Sequence, residues 1–162
     1  MPNYTLDAID RRILENLQVD ARMTNVTLAG KVGLSPSPCL RRVGNLKKTG
    51  VIRSYATLVD AEAVGLPVSI FVNVTLEKQI EPVLETFEEH IRARPEVMEC
   101  YLMTGDADYL LRVVASDLAD YERFLLQHLT RIPGVASIKS SFALKQVTYR
   151  TALPIALEAA EC

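Results

Sequence analysis

A basic window without acids in the N-terminal third, then segments in the order strand, helix, strand, strand, helix, strand, predict an α+β chain of two domains. Residues 1–60 are expected to form a winged helix-turn-helix with a linking strand, and residues 61–162 a ferredoxin-like βαββαβ unit. With 162 residues, 49% of them hydrophobic, the chain has apolar material for two small cores.

The formal net charge of −2 hides an asymmetry. Residues 1–60 carry nine Lys/Arg against five Asp/Glu, whereas residues 61–162 carry nine against fifteen. No carboxylate lies between Asp20 and Asp60, where Arg22, Lys31, Arg41, Arg42, Lys47, Lys48 and Arg53 all fall. Such a window points to a polyanion partner for the basic half.

The elements of that half follow in order. Ile9, Ile13, Leu14 and Leu17 recur at helical spacing, with Asp7 in the first turn. A second helix starts at Thr24 or Asn25, buries Leu28 and Val32 and stops at Gly33. Ser35 caps a third, with Pro36 in its first position, Leu40, Val43 and Leu46 buried, and Gly50 as its stop. Two helices joined by a tight turn, the second one basic, form the helix-turn-helix pattern. The start of the second helix would then meet base edges with Ser35, Ser37, Pro38, Cys39, Arg41 and Arg42. Arg41 or Arg42 is the natural base reader, since a guanidinium can donate two hydrogen bonds to guanine. Lys47, Lys48 and Arg53 suit phosphates. Residues 51–55 read as a short wing strand.

In the second half, Val68, Ile70, Val72, Val74 and Leu76 alternate with polar positions as in a half-buried strand. A helix with Ile80, Val83, Leu84, Phe87 and Ile91 inward follows, ending before Pro95. Two β runs, 97–104 and 109–115, flank the turn Gly105-Asp106-Ala107-Asp108. A helix over 117–131, with Leu118, Tyr121, Leu125, Leu129 and Ile132 inward, breaks at Pro133-Gly134 before a strand over 135–148. Helices on one face of such a sheet leave the other bare, so a homodimer through this domain is expected. The turn Thr104–Asp108 offers backbone N–H groups and two carboxylates beside Leu102 and Met103. That mixture suits a zwitterionic amino acid, although an acidic hairpin turn has the same composition.

The runs Asn25-Val26, Leu34-Ser35-Pro36-Ser37-Pro38-Cys39-Leu40-Arg41-Arg42-Val43 and Thr104-Gly105-Asp106-Ala107-Asp108-Tyr109-Leu110-Leu111 resemble the leucine-responsive regulator/AsnC family. The resemblance covers about residues 6–153 and implies a sequence-specific transcription regulator of amino-acid metabolism genes that responds to an amino-acid effector. It implies Asn25 among the DNA-binding residues, and an effector site at Leu102, Met103, Thr104, Gly105, Asp106 and Asp108, with Ser140 on the last strand. It implies dimers built through the sensing domains, assembling to octamers, and an apolar effector such as leucine or methionine.

Other classes compete. A small enzyme or sensor subunit would need a catalytic constellation, yet His90 and His128 lie without partners nearby in sequence, and Cys39 sits in the recognition helix. An architectural protein with little sequence preference would bind DNA through phosphates alone. Neither an enzyme, nor a cofactor, nor a metal site is expected. Cys39, Cys100 and Cys162 are scattered, no apolar run is long enough for a bilayer, and the N-terminus has no signal-peptide pattern. A cytoplasmic protein without membrane contact is the expectation.

Overall fold

The computed structural model describes residues 5–155, which divide into two units. One unit comprises the residues up to 57 together with those from 148 on, and the other residues 58–147. The boundary at the first junction lies near the expected position 60; at the second, residues 148–155 join the N-terminal unit rather than the sensor.

The first unit holds three helices, α1 (Ala8–Val19), α2 (Asn25–Val32) and α3 (Pro36–Lys48). Asp7 caps α1 by accepting from the Asp10 backbone N–H at 2.8 Å. Thr24, rather than Asn25, caps α2 through the Thr27 N–H. Gly33 ends it in the left-handed conformation, φ 75°, which lets Leu34 turn back into the core. Ser35 stands at the N-cap of α3, but its side chain makes no capping bond; Pro36 fixes the first helical φ instead. Ile13, Leu28, Ala29, Val32, Cys39, Val43 and Leu46 form the core. Burying each large aliphatic of this set contributes about 1.5–3 kcal/mol.

Leu40 was expected inside, yet it is 62% exposed and Cys39 takes its place at 0%. Counting back four and then seven residues from Val43 and Leu46 reaches Cys39, so the helical period itself selects the cysteine. The expected wing strand over 51–55 and linking strand beyond it are not paired: residues 51–60 carry no strand. A strand needs a ladder partner, and the described residues supply none. The segment folds back through the Ile52 N–H, which donates to the Leu46 carbonyl at 2.9 Å.

The second unit is a four-stranded antiparallel sheet of β1 (Val68–Leu76), β2 (Val97–Leu102), β3 (Tyr109–Ala115) and β4 (Val135–Phe142), in the order β2-β3-β1-β4. Two helices, α4 (Glu81–Arg92) and α5 (Leu118–Gln127), with a 3₁₀ turn at Leu129–Arg131, complete the βαββαβ order. Ile70, Val72, Val74, Tyr109, Leu111 and Val113 on the sheet and Phe87, Ile91, Phe124 and Leu129 beneath it form one core. Both helices therefore cover the same face. The other face presents Ser69, Phe71, Asn73 and Thr75 of β1, opposite the buried set, and an Arg112–Glu99 ion pair at 2.8 Å.

Two inward assignments fail at helix starts: Ile80 is the N-cap of α4 and Leu118 the first residue of α5, and both are at least half exposed. β4 ends at Phe142 rather than 148 because its partner β1 begins at Val68, and the last bond is Ala143 N–H to Ser69 O at 3.0 Å. For the same reason β2 ends at Leu102, where it meets Tyr109, the first residue of β3.

Candidate nucleic-acid interface and effector loop

On α3 the buried stripe Cys39, Val43, Leu46 fixes what faces outward. Ser37, Leu40, Arg41, Gly44 and Lys48 are all exposed, and their spacing of three or four residues puts them on one face. That face carries two cations, a hydroxyl, one apolar side chain and no acid. It can donate to guanine edges and phosphates, and Leu40 can meet a thymine methyl group. Val26, 68% exposed on α2, adds a second apolar group to the unit's surface.

The other candidates of this unit are placed as follows. Asn25 donates from its amide to the Pro36 carbonyl at 2.7 Å, so it ties the start of α2 to the start of α3 and sets the turn geometry. Ser35 is exposed at the N-cap and Pro38 half-buried. Lys47 lies over the Tyr55 ring, 4.8 Å from its centroid, and Arg53 is exposed beyond the helix. Cys39 must be removed from the DNA-facing set: its thiol is buried in the core, and burial pushes its pKa up. Arg42 must also be reassigned. Its Nη1 lies 2.7 Å from Asp7 Oδ2 and 2.9 Å from Asp10 Oδ1, so its guanidinium is spent inside the unit rather than offered to a base. Arg41 is left as the guanidinium at the exposed start of the helix. Leu40 was missed as a surface residue; the signal was the helical phase set by Val43 and Leu46.

In the sensor unit, the chain between β2 and β3 forms an irregular loop closed by the Met103 N–H donating to the Asp108 carbonyl at 2.8 Å. The backbone N–H groups of Thr104, Gly105, Asp106 and Ala107 make no hydrogen bond among the described residues. Leu102, Met103, Thr104, Gly105 and Asp106 are exposed. Apolar side chains, backbone N–H groups without a partner among the described residues and one solvent-facing carboxylate are thus neighbours along one exposed loop.

Asp108 does not share that exposure, which corrects its assignment to an ammonium group. It is 4% exposed, and its Oδ2 accepts from the Leu76 N–H at 2.6 Å while Oδ1 accepts from the Gln79 amide. Its own N–H donates to Val74 O at 2.9 Å. It is a clamp between β3 and the end of β1. Ser140 is likewise not brought to the loop within one chain. It pairs with Val72, two strands or about 10 Å from β3, and its hydroxyl bonds the Tyr121 hydroxyl.

Among the described residues no group of three or more His, Cys, Asp or Glu could hold a metal ion, and no helix is long and apolar enough to cross a membrane. Cys162 lies outside the described residues.

Comparison with known proteins finds the same two parts, although the ligand-binding match runs past the structural boundary at residue 147. A family model described as winged helix-turn-helix DNA-binding matches residues 6–53, and one described as Lrp/AsnC ligand binding domain matches residues 69–153. The chain is 52% identical over 150 residues to the Bkd operon transcriptional regulator of Pseudomonas aeruginosa, covering 93% of this chain and 98% of that one. It is 41% identical over 145 residues to the leucine-responsive regulatory protein of Haemophilus influenzae, covering 90% and 87%. A transcriptional regulator of Neisseria meningitidis solved as its L-Met complex superposes with a TM-score of 0.88 at 41% identity, covering 93% of this chain and 97% of that one. AsnC of Escherichia coli superposes with a TM-score of 0.85 at 26% identity, covering 91% and 98%. An outward basic helix in one unit, a bare-donor loop in the other, and matches spanning both make this chain a member of the Lrp/AsnC family of DNA-binding transcription regulators with a ligand-binding domain.

Proposed function

We propose that the chain reads duplex DNA through the outward face of α3 and controls genes of amino-acid metabolism in response to an apolar amino acid, such as leucine or methionine, bound at the loop 102–106. The observation that carries the first half is the acid-free outer stripe of α3, with Arg41 as base reader and Lys47, Lys48 and Arg53 as phosphate contacts. The second half is supported by the free N–H groups of the loop beside Leu102, Met103 and Asp106. Relatives named for leucine response and for an L-Met complex support the same effector class.

The bare face of the sheet around Phe71 supports a dimer through the sensor unit, assembling further to an octamer. Two helix-turn-helix units per dimer suit a pseudo-palindromic site. No cofactor is needed for this activity, and its place is the cytoplasm.

The test is a mobility shift on the DNA upstream of the chain's own gene, at fixed salt with excess competitor DNA, with and without leucine and methionine. A competitor-resistant shift altered by one amino acid is the expected result. A shift that competitor abolishes under every condition would replace this reading with an architectural, sequence-indifferent binder.

A further inference from the structure

The helix side of the sensor unit holds a second concavity, remote in sequence from the loop. Where α4 and α5 end, His90, Arg94, Gln127, His128 and Arg131 surround a cavity of about 130 Å³ floored by Ile91, Phe124, Leu129 and Ile132. No acidic residue lines it, although residues 61–162 carry fifteen Asp/Glu against nine Lys/Arg. Neither Arg94 nor Arg131 makes an ion pair with a carboxylate among the described residues.

The simplest account is that the cations offset the negative ends of two helices. The magnitudes leave a remainder. Each helix C-terminus is equivalent to about −0.5 charge, so two ends balance one guanidinium and the cavity keeps a surplus of about +1. The histidines do not remove it. His90 Nδ1 donates to the Thr86 carbonyl at 2.7 Å, leaving its Nε2 unused. Arg94 Nη1 lies 3.1 Å from His128 Nδ1 and 3.4 Å from Nε2. A donor that close to both nitrogens lies over the ring rather than in line with one lone pair, so the rest of the guanidinium remains available.

The chemistry of the lining selects the ligand. A surplus of one positive charge matches a monoanion, and a guanidinium fork matches a carboxylate. The apolar floor matches a short hydrocarbon body. With no acid in the lining, the cavity offers an ammonium group no ion-pair partner beside its guanidinium groups, which separates it from an amino-acid site. A cavity of about 130 Å³ admits a small ligand only, so the hydrocarbon body is short. We infer that this cavity is a second small-molecule site of the sensor unit, one that takes a short-chain carboxylate lacking an amino group.

The experiment is calorimetric titration of the full chain with sodium butyrate at constant ionic strength, sodium chloride serving as the blank. The inference requires saturable butyrate binding, weakened at least tenfold in Arg131→Gln, whose exposed side chain makes no hydrogen bond that folding needs, and in Arg94→Gln. Leucine and butylammonium should not compete. Three results would overturn it: no saturable binding above the chloride blank, butyrate binding unchanged in Arg131→Gln, or competition by leucine. Binding of inorganic phosphate tenfold tighter than butyrate would overturn the carboxylate assignment. None of these readings involves DNA, so they stand apart from the outcome of the mobility shift.

Discussion

Arg42 on α3 bridges Asp7 and Asp10 on α1, reaching the cap of one helix and the buried carboxylate beside it with the same guanidinium nitrogen, at 2.7 and 2.9 Å. A side chain that sequence reasoning offers to DNA is therefore a strut of the domain, which leaves its exposed neighbour Arg41 as the proposed base reader. Arg42→Ala should lower stability by about 1–3 kcal/mol, because Asp10 is 2% exposed and loses a charged partner. Its base preference at saturating protein should match wild type. Arg41→Ala should leave the melting temperature unchanged and cost about 1–3 kcal/mol in specific binding. Chemical denaturation and mobility shifts on both variants separate the roles; a change of base preference in Arg42→Ala alone would reverse them.

The same bridge sets an acid limit. The Asp10 backbone N–H, and after it the Arg42 guanidinium, hold the Asp7 carboxyl below its ordinary pKa against the opposing effect of burial. A carboxyl with a lower pKa when folded stabilises the fold fully above the unfolded value of about 3.9 and loses that contribution as pH falls through the folded value. Denaturant midpoints measured between pH 6 and pH 3 should fall less steeply below pH 4 in Asp7→Asn than in wild type. Identical slopes would show that the cap and bridge carry no pH-dependent stability.

Asp108 and Asp106 should behave oppositely. Asp108→Ala leaves the Leu76 N–H and the Gln79 amide without their acceptor and should cost about 1–3 kcal/mol in thermal stability. Asp106 is exposed, and Asp106→Ala should stay within about 0.5 kcal/mol of wild type while weakening leucine or methionine binding in calorimetry. Full effector affinity in Asp106→Ala would remove it from the site.

Gly44 sits in the interior of α3, on the outward stripe, and beyond its chain neighbours and the helix's own backbone nothing lies within 4 Å of where a Cβ would stand. Gly44→Ala should therefore stabilise the helix by about 0.5–1 kcal/mol. If DNA lies against this face, the added methyl should also weaken operator binding. A variant both more stable and equally tight in binding would show that the DNA backbone does not approach there.

Gly134 presents the reverse case. Its φ is +86°, and a Cβ on this residue, which immediately precedes β4, would stand 2.7 Å from Val83 Cγ1 in the first turn of α4. Gly134→Ala should destabilise the sensor unit by about 1–3 kcal/mol, through strain and overpacking together. A melting temperature equal to wild type would mean that Val83 yields freely.

Alternation made the central strands readable: β1 and β3 lie where the pattern puts them, with Ile70, Val72 and Val74 inward. Strand ends were not readable in the same way, because β4 stops where β1 offers no further partner, a matter of register rather than composition. Helix faces were legible except at Leu40, where Cys39 takes the buried phase, and at the starts of α4 and α5, where Ile80 and Leu118 sit beyond the reach of the core. The exposure of the proposed DNA-facing set was half legible. Residue type identified Arg41 and Arg42 together, and only the position of Asp7 and Asp10 in space tells them apart. The loop 102–106 stands out in the sequence by its composition, whereas Asp108 belongs to the same run but turns inward to Leu76.

The Gln18 side chain clasps Leu153 from both sides, donating to its carbonyl at 3.1 Å and accepting from its N–H at 2.7 Å, while Ile155 packs on the adjacent core. This closes a circuit of 135 residues, at an entropic cost that grows only with the logarithm of its length. In chain topology the ligand-binding unit is thus an insertion within the DNA-binding one, entered after residue 57 and left at residue 148. A unit hung on one linker can swing without consequence for its neighbour. A unit spliced in at both ends is tied to its neighbour by two chain crossings, at residues 57–58 and 147–148, rather than by one.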